Sequence, residues 1–203
     1  MTESTKTATL SFDGKTLELP MFTPTEGPDV IDIRKLYAQG HVFTYDPGFT
    51  STASCDSTIT YIDGDQGELL YRGYSIHDLA TQSSFEEVAY LLIFGELPST
   101  GELAAFDARL KAARTLPPQV LEVLTATKDG HPMDVLRTGV SALAALEPGS
   151  AKTGEEDFID NCIRLISQVP MIIAAHHAIR QGRTPVAADP DLSHAANWLW
   201  MLK

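Results

Sequence analysis

Apolar and polar positions alternate at the start of the chain, and "ATLSFDGKTLELPM" holds two such runs on either side of Asp13-Gly14. That dipeptide suits a turn with positive φ, so the pattern predicts a β-hairpin. Residues 23–57 break the alternation with Pro24, Gly27, Pro28, Gly40, Pro47 and Gly48, which predicts a long irregular connection holding one short helical piece, "DVIDIRKLYAQ". A second hairpin follows, with strands at 58–62 and 68–71 around a Gly- and Asp-rich turn at 63–67.

Beyond residue 76 the apolar period lengthens to that of helices. Ser84 with Glu87 reads as a capping box, Gly95 as a left-handed stop and Pro98 as a barrier to continuation. Ser99 with Glu102 opens the next helix, which carries Leu103, Phe106 and Leu110 on one face and is expected to end near Arg114. Pro117 and Pro118 suit the first turn of a third helix, with Val120, Leu121 and Leu124 on its apolar side. Pro132 starts a fourth, whose expected stripe is Leu136, Val140 and Leu143, with small alanines allowing close contact.

Thr153 with Glu156 is expected to open the longest helix, running through Phe158, Cys162, Leu165, Ile166 and Val169 until Pro170 kinks or divides it. The last segment, "DLSHAANWLWMLK", places Leu192, Ala195, Leu199 and Leu202 on one side with Trp198 beside them, and no capping Gly follows. It reads as an interrupted architecture, the front of something larger. The loop at 148–154 is a weak boundary, and neither repeats nor low-complexity tracts are seen.

Composition narrows the possibilities. A length of 203 residues with 43% hydrophobic and 21% charged positions belongs to an ordinary globular protein. No run reaches the roughly 18 uninterrupted apolar residues of a membrane span, so the chain is expected to be soluble. A net charge of -12 disfavours nucleic acid and anionic membranes as partners, while leaving room for a local arginine pocket. Cys55 and Cys162 read as free thiols, and the polar N-terminus lacks the form of a secretory signal, so the expected compartment is the cytoplasm.

The candidate chemistry is thin. His41, His77, His131, His176, His177 and His194 are the histidines, and none is assigned to catalysis. His131 precedes Pro132 and reads as a helix-boundary residue; His176 and His177 point about 100° apart on one helix, which argues against a shared metal. "FTSTASCDST" lacks a nucleophile elbow and reads as a structural loop, and the acidic runs "IDGDQGE" and "GEEDFID" read as a turn and a helix start. Calcium-loop, phosphate-loop and dinucleotide signatures are absent.

Together, "VIDIRKL", "VFTYDPGFTSTASCDSTITYIDGDQGELLYRGYSIHDLA", "HPMDVLRTGVSALAAL" and "DLSHAANWLWML" resemble the N-terminal part of bacterial citrate synthases, over nearly the whole chain and most strongly from Val30 to Ala80. The resemblance implies a mainly α fold: 1–57 as hairpin and irregular connection, then 58–203 as the front of the large helical domain. It further implies a homodimer or homohexamer that condenses acetyl-CoA, a co-substrate rather than a bound cofactor, with oxaloacetate and water to give citrate and CoA in the tricarboxylic acid cycle.

In that family a carboxylate deprotonates the acetyl methyl group while histidines stabilise the enol and polarise the ketone. Their "GPLHGGAN"-like and "GHRVY"-like runs are not found here, so no catalytic, cofactor or metal residue is assigned. "GHVF" at Gly40 falls in a noncatalytic match, and neither His41 nor His194 takes a family role. The chain alone is expected to be inactive; the alternatives are a 2-methylcitrate synthase using propionyl-CoA, or a non-catalytic scaffold fragment. An NADH pocket known in some hexamers uses an Arg-His-Thr run, a tyrosine and a lysine; the matching positions here are Ala113, Arg114 and Thr115, then Glu147 and Gln168. Only Arg164 fits, so tight NADH inhibition is not expected.

Overall fold

The computed structural model of the chain describes residues 2–146 and 154–203, with the side chains of residues 2–5 outside the described set. Two compact units emerge, Met1–Leu79 and Ala80–Lys203. The second hairpin, grouped with the helices in the sequence reading, lies within the first unit.

In the first unit, Asp13 and Gly14 both take positive φ, 45° and 73°, the twist that joins β1 (Thr2–Phe12) to β2 (Lys15–Thr23) as an antiparallel hairpin. The helical piece expected over 29–39 is corrected. Val30 and Ile31 form β3 (Val30–Ile31) against Phe22 and Met21, and only α1 (Leu36–Gly40) is helical. Both residues are β-branched and lie beside the open edge of β2, where strand pairing outweighs a short helix. Gly40 packs closely on the hairpin: a Cβ there would sit 2.9 Å from Leu17 Cδ1 and Phe12 Cζ and displace those side-chain tips.

The second sheet comprises β4 (Thr60–Asp63), β5 (Glu68–Tyr71) and β6 (Tyr74–Ser75), all antiparallel neighbours. β4 begins later than the expected residue 58, because Ser57 Oγ accepts from the amides of Ile59 and Thr60. Asp63 closes the turn by accepting from Asp65 and Gln66 N–H at 3.0 and 2.9 Å. α2 (Ile76–Gln82) spans the division between the units.

Local rules set the helix starts of the second unit. α3 (Phe85–Phe94) and α4 (Thr100–Ala112) each carry a complete capping box, at Ser84/Glu87 and Ser99/Glu102. Gly95, at φ 97°, stops α3 with its N–H on Leu91 O. α5 (Pro118–Ala126) has proline in its first turn, and α6 (Pro132–Leu146) starts at proline as well. α4 stops a little before the expected Arg114, whose side chain is used elsewhere.

α7 (Glu155–Arg180) is continuous, so of the kink or division expected at Pro170 the division does not occur. Its packing against α4, α5, α6 and α8 (His194–Met201) holds it helical past the missing hydrogen bond. The N-cap residue is Gly154; the box expected from Thr153, most of the 148–154 boundary and Glu147 lie outside the described residues. By length and composition alone α7 could cross a membrane, yet its contacts with other helices are those of a core helix.

α4 and α5 bury the expected faces, with Phe106 and Leu110 inward on one and Val120 and Leu124 on the other, whereas α6, α7 and α8 are turned differently. α6 turns Val135, Gly139 and Leu143 inward, leaving Leu136 and Val140 half-buried at the edge. α7 buries Ile163, Ser167, Gln168, Ile172, Ala174, Ala175, His176 and Ala178, while Phe158 is 67% exposed and Leu165 is also exposed. α8 buries Asn197 and Met201, leaving Leu199 63% exposed. Small residues face inward where helices approach closely; thus a Cβ on Gly139 would meet Ile172 Cγ2 at 3.0 Å. One cluster joins Val120, Leu124, Val135, Leu143, Ile172 and Ala175, and another joins Ala89, Phe106, Leu110 and Ile163. The expected mainly α architecture preceded by hairpins is the one the chain adopts.

Candidate functional site

The most concentrated buried polarity lies in the second unit, where α3, the end of α4, α7 and α8 meet around Arg114. Arg114 is 6% exposed and donates through Nη1 to Leu192 O at 2.8 Å and Asp189 O at 3.2 Å. Its Nε and Nη2 are buried without a hydrogen-bond partner among the described residues. Burial pulls its pKa below the usual range, opposed by Asp107, Glu86 and Asp189.

Glu86, buried in the first turn of α3, accepts from His194 N–H at 2.9 Å. The His194 ring stacks on Phe85 with centroids 4.5 Å apart and an interplanar angle of 11°. Burial, then the Arg114 charge, hold the imidazole below its usual pKa against the pull of Glu86. Asn197 accepts from Asp189 N–H at 2.8 Å, and Gln168 donates to Thr115 O at 2.8 Å. These groups fix the segment entering α8, and Arg114 Nη1 is committed to backbone carbonyls. Sequence reasoning weighed Arg114 as a helix end and as part of the NADH-pocket run, and did not find its bonds to the Asp189 and Leu192 carbonyls. An Asn inside an otherwise apolar α8 was the available signal.

The remaining histidines have structural contacts. His176 is buried and donates Nε2–H to Lys128 O at 3.1 Å, which assigns the tautomer because a carbonyl only accepts. His177, on the exposed side of α7, accepts from Gln181 at 3.3 Å, so the two adjacent rings do point apart. His131 Nδ1 accepts from Met133 N–H at 3.3 Å, the helix-boundary role expected of it. His41 occupies the left-handed C-cap of α1, at φ 58°, edge-on to Tyr37. His77, exposed in α2, donates its backbone N–H to Ser75 Oγ.

In the first unit, the Thr- and Ser-rich loop is built around Asp46, whose carboxylate accepts from Thr50 N–H and Oγ1, Ser51 N–H and Thr52 Oγ1 at 2.6 to 3.2 Å. Thr52 foremost, then the Ser51 amide, lower its pKa to about 2. An open groove of about 400 Å³ runs beside this loop, lined by Phe22, Ile31, Asp32, Arg34, Cys55 and Asp56. The Arg34 guanidinium donates to Asp32 at 2.9 and 2.7 Å and its backbone N–H at 3.0 Å, and the Asp32 pKa falls to about 2 chiefly through the guanidinium contact. Cys55 is exposed and Cys162 half-buried, both free thiols. Among the described residues no group of three His, Cys, Asp or Glu side chains is placed to hold a metal ion.

Residues 48–203 match the family described as citrate synthase, C-terminal domain. The fold is similar to citrate synthase from Pyrobaculum aerophilum, with 33% identity and a TM-score of 0.70 over 76% of this chain and 41% of that one. Citrate synthase from Thermotoga maritima is similar at 32% identity and TM-score 0.68, over 78% of this chain and 41% of the other. A ternary complex of carboxymethyl coenzyme A and oxaloacetate with citrate synthase from Thermoplasma acidophilum shares the fold at 23% identity and TM-score 0.70, over 75% and 40% respectively. The chain therefore spans about two fifths of the length of these solved relatives.

Proposed function

We propose, from the premise that this chain belongs to the citrate synthase family, that it is the front part of a citrate synthase subunit condensing acetyl-CoA with oxaloacetate and water to citrate and CoA. The match over 48–203, at two fifths of the solved relatives' length, carries this reading. Deprotonating a carbon next to a thioester needs a base and oxyanion donors together within hydrogen-bond reach. Among the described residues, Asp46 and Glu86 close a loop and anchor a helix, and the histidines hold the boundary contacts given above. The chain then acts as platform, with the reacting groups supplied by the remainder of the subunit.

Several finer points accompany that reading. Acetyl-CoA and oxaloacetate enter as substrates, without a resident cofactor. Exposed Phe158, Leu165 and Leu199 suit a homodimer or homohexamer, and free thiols suit the cytoplasm. Arg114 is held by Asp189 and Leu192 carbonyls and Gln168 by Thr115, which supports the absence of tight NADH inhibition. The deciding experiment measures CoA thiol release by the purified 203-residue chain with acetyl-CoA and oxaloacetate. No turnover is expected, and sustained citrate formation by this chain alone overturns the platform role. Comparing acetyl-CoA with propionyl-CoA in the complete enzyme separates citrate from 2-methylcitrate synthesis.

A further inference from the structure

At the entry into α8 the half-buried His194 ring lies against Phe85, with Glu86 and the Arg114 charge acting on it. His194 begins the helix after its N-cap Ser193, whose Oγ accepts from Ala196 N–H at 3.4 Å. Its ring lies flat on Phe85 and its N–H is held by Glu86, so one residue joins α8 to α3 through both its side chain and its backbone. Two positions earlier, Leu192 O receives Arg114. We propose that this junction is a pH-sensitive latch: neutral His194 seats the first turn of α8 on α3, and its protonation in mild acid releases that turn.

The physical argument compares what a proton on the ring gains and loses. It gains the attraction of Glu86 and of the Phe85 face. It loses hydration in a half-buried site, meets the Arg114 charge, and adds positive charge at a helix N-terminus that is already the positive end of its dipole. Glu86 is shared as well, since it also acts on Arg114. The charged surroundings are Glu86 from α3, Arg114 beyond α4 with Asp107 behind it, and Asp189 from the preceding loop. From the α7 side, Arg183, just past the helix end, bonds Lys203 O, at the opposite end of α8.

Burial and Arg114 hold the docked ring below the ordinary 6.5, so the direction of the linkage follows. Above that value docked and released states are both neutral. As pH falls below it, the released ring takes the proton first and docking weakens, most strongly as the docked value is approached.

Trp198 and Trp200, the chain's two tryptophans, both belong to α8 and report on its docking. Tryptophan emission and iodide quenching of the full chain are followed from about pH 8 to about pH 5. A red shift with increased quenching is expected, with its midpoint below 6.5. His194→Phe keeps a flat ring without a titrating proton and is expected to lose the transition; its persistence unchanged overturns the proposal. Glu86→Gln keeps the accepting oxygen but removes the charge that favours protonation, so the midpoint is expected to fall, and an unmoved or raised midpoint refutes the latch. Should His194→Phe fail to fold, the imidazole titration of His194 by NMR in the unaltered chain decides, because a midpoint at or above 6.5 overturns the idea.

Discussion

Replacing Gly139 by alanine tests the inter-helix packing that defines the second unit. In an exposed helix interior the change gains about 1 kcal/mol from reduced backbone entropy in the unfolded chain. Here the new Cβ would lie 3.0 Å from Ile172 Cγ2 and 3.4 Å from Ile172 Cδ1 and Leu124 Cδ2. Overpacking of that kind costs about 1–3 kcal/mol, so Gly139→Ala alone is expected to range from neutral to destabilising by about 2 kcal/mol. Ile172→Ala removes two of the three contacts and itself costs about 2–5 kcal/mol for the cavity it leaves. In that background Gly139→Ala fills space and is expected to stabilise by about 1 kcal/mol. The two effects of the same substitution therefore differ by about 1–3 kcal/mol, the coupling that a double-mutant cycle isolates. Urea unfolding monitored by the α8 tryptophans, with far-UV dichroism as a second probe, measures it. If the two effects agree within about 0.3 kcal/mol, close approach of α6 to α7 is not what demands glycine.

Ser84→Ala removes the oxygen that accepts Glu87 N–H at 3.2 Å and is expected to lower stability by about 1 kcal/mol, read as a shift of the urea midpoint at unchanged slope. Arg114→Leu leaves the carbonyls of Asp189 and Leu192 without their donor, an expected loss of about 2 kcal/mol with faster amide exchange through 189–197; Arg114→Lys, which keeps a charged donor, is expected to recover part of it. Asp46 has its pKa lowered from 3.8 to about 2, so its support of the loop is complete above 3.8 and is lost as pH falls through about 2. Carboxyl NMR is expected to find that low midpoint, and a titration near 3.8 would deny the hydrogen bonds to Thr50, Ser51 and Thr52.

Capping boxes at Ser84 and Ser99, proline at the starts of α5 and α6, and the Asp13-Gly14 turn were readable because each depends on residues within one turn of each other. The short run at 30–31 was misread because its strand character comes from Phe22 and Met21 of β2 rather than from itself. Likewise Pro170 has a local cost that packing on α7 overrides. Legibility of the polar cluster was poorer still. Arg114, Glu86 and His194 lie on separate elements, and no spacing along the chain brings a guanidinium to Leu192 O or a carboxylate to His194 N–H.

By itself the sequence determined the mainly helical class, most element starts, the turn chemistry and the family motifs, since those follow from nearest-neighbour hydrogen bonding and residue order. Only the tertiary structure decided which helix faces meet: Gly139 rather than an alanine lies against Ile172, Asn197 and Met201 are buried in place of Leu199, and Phe158 is left outside. Several faces of these helices are apolar enough to be buried, and the choice among them depends on the shape of the neighbouring helix, through contacts that no single segment contains.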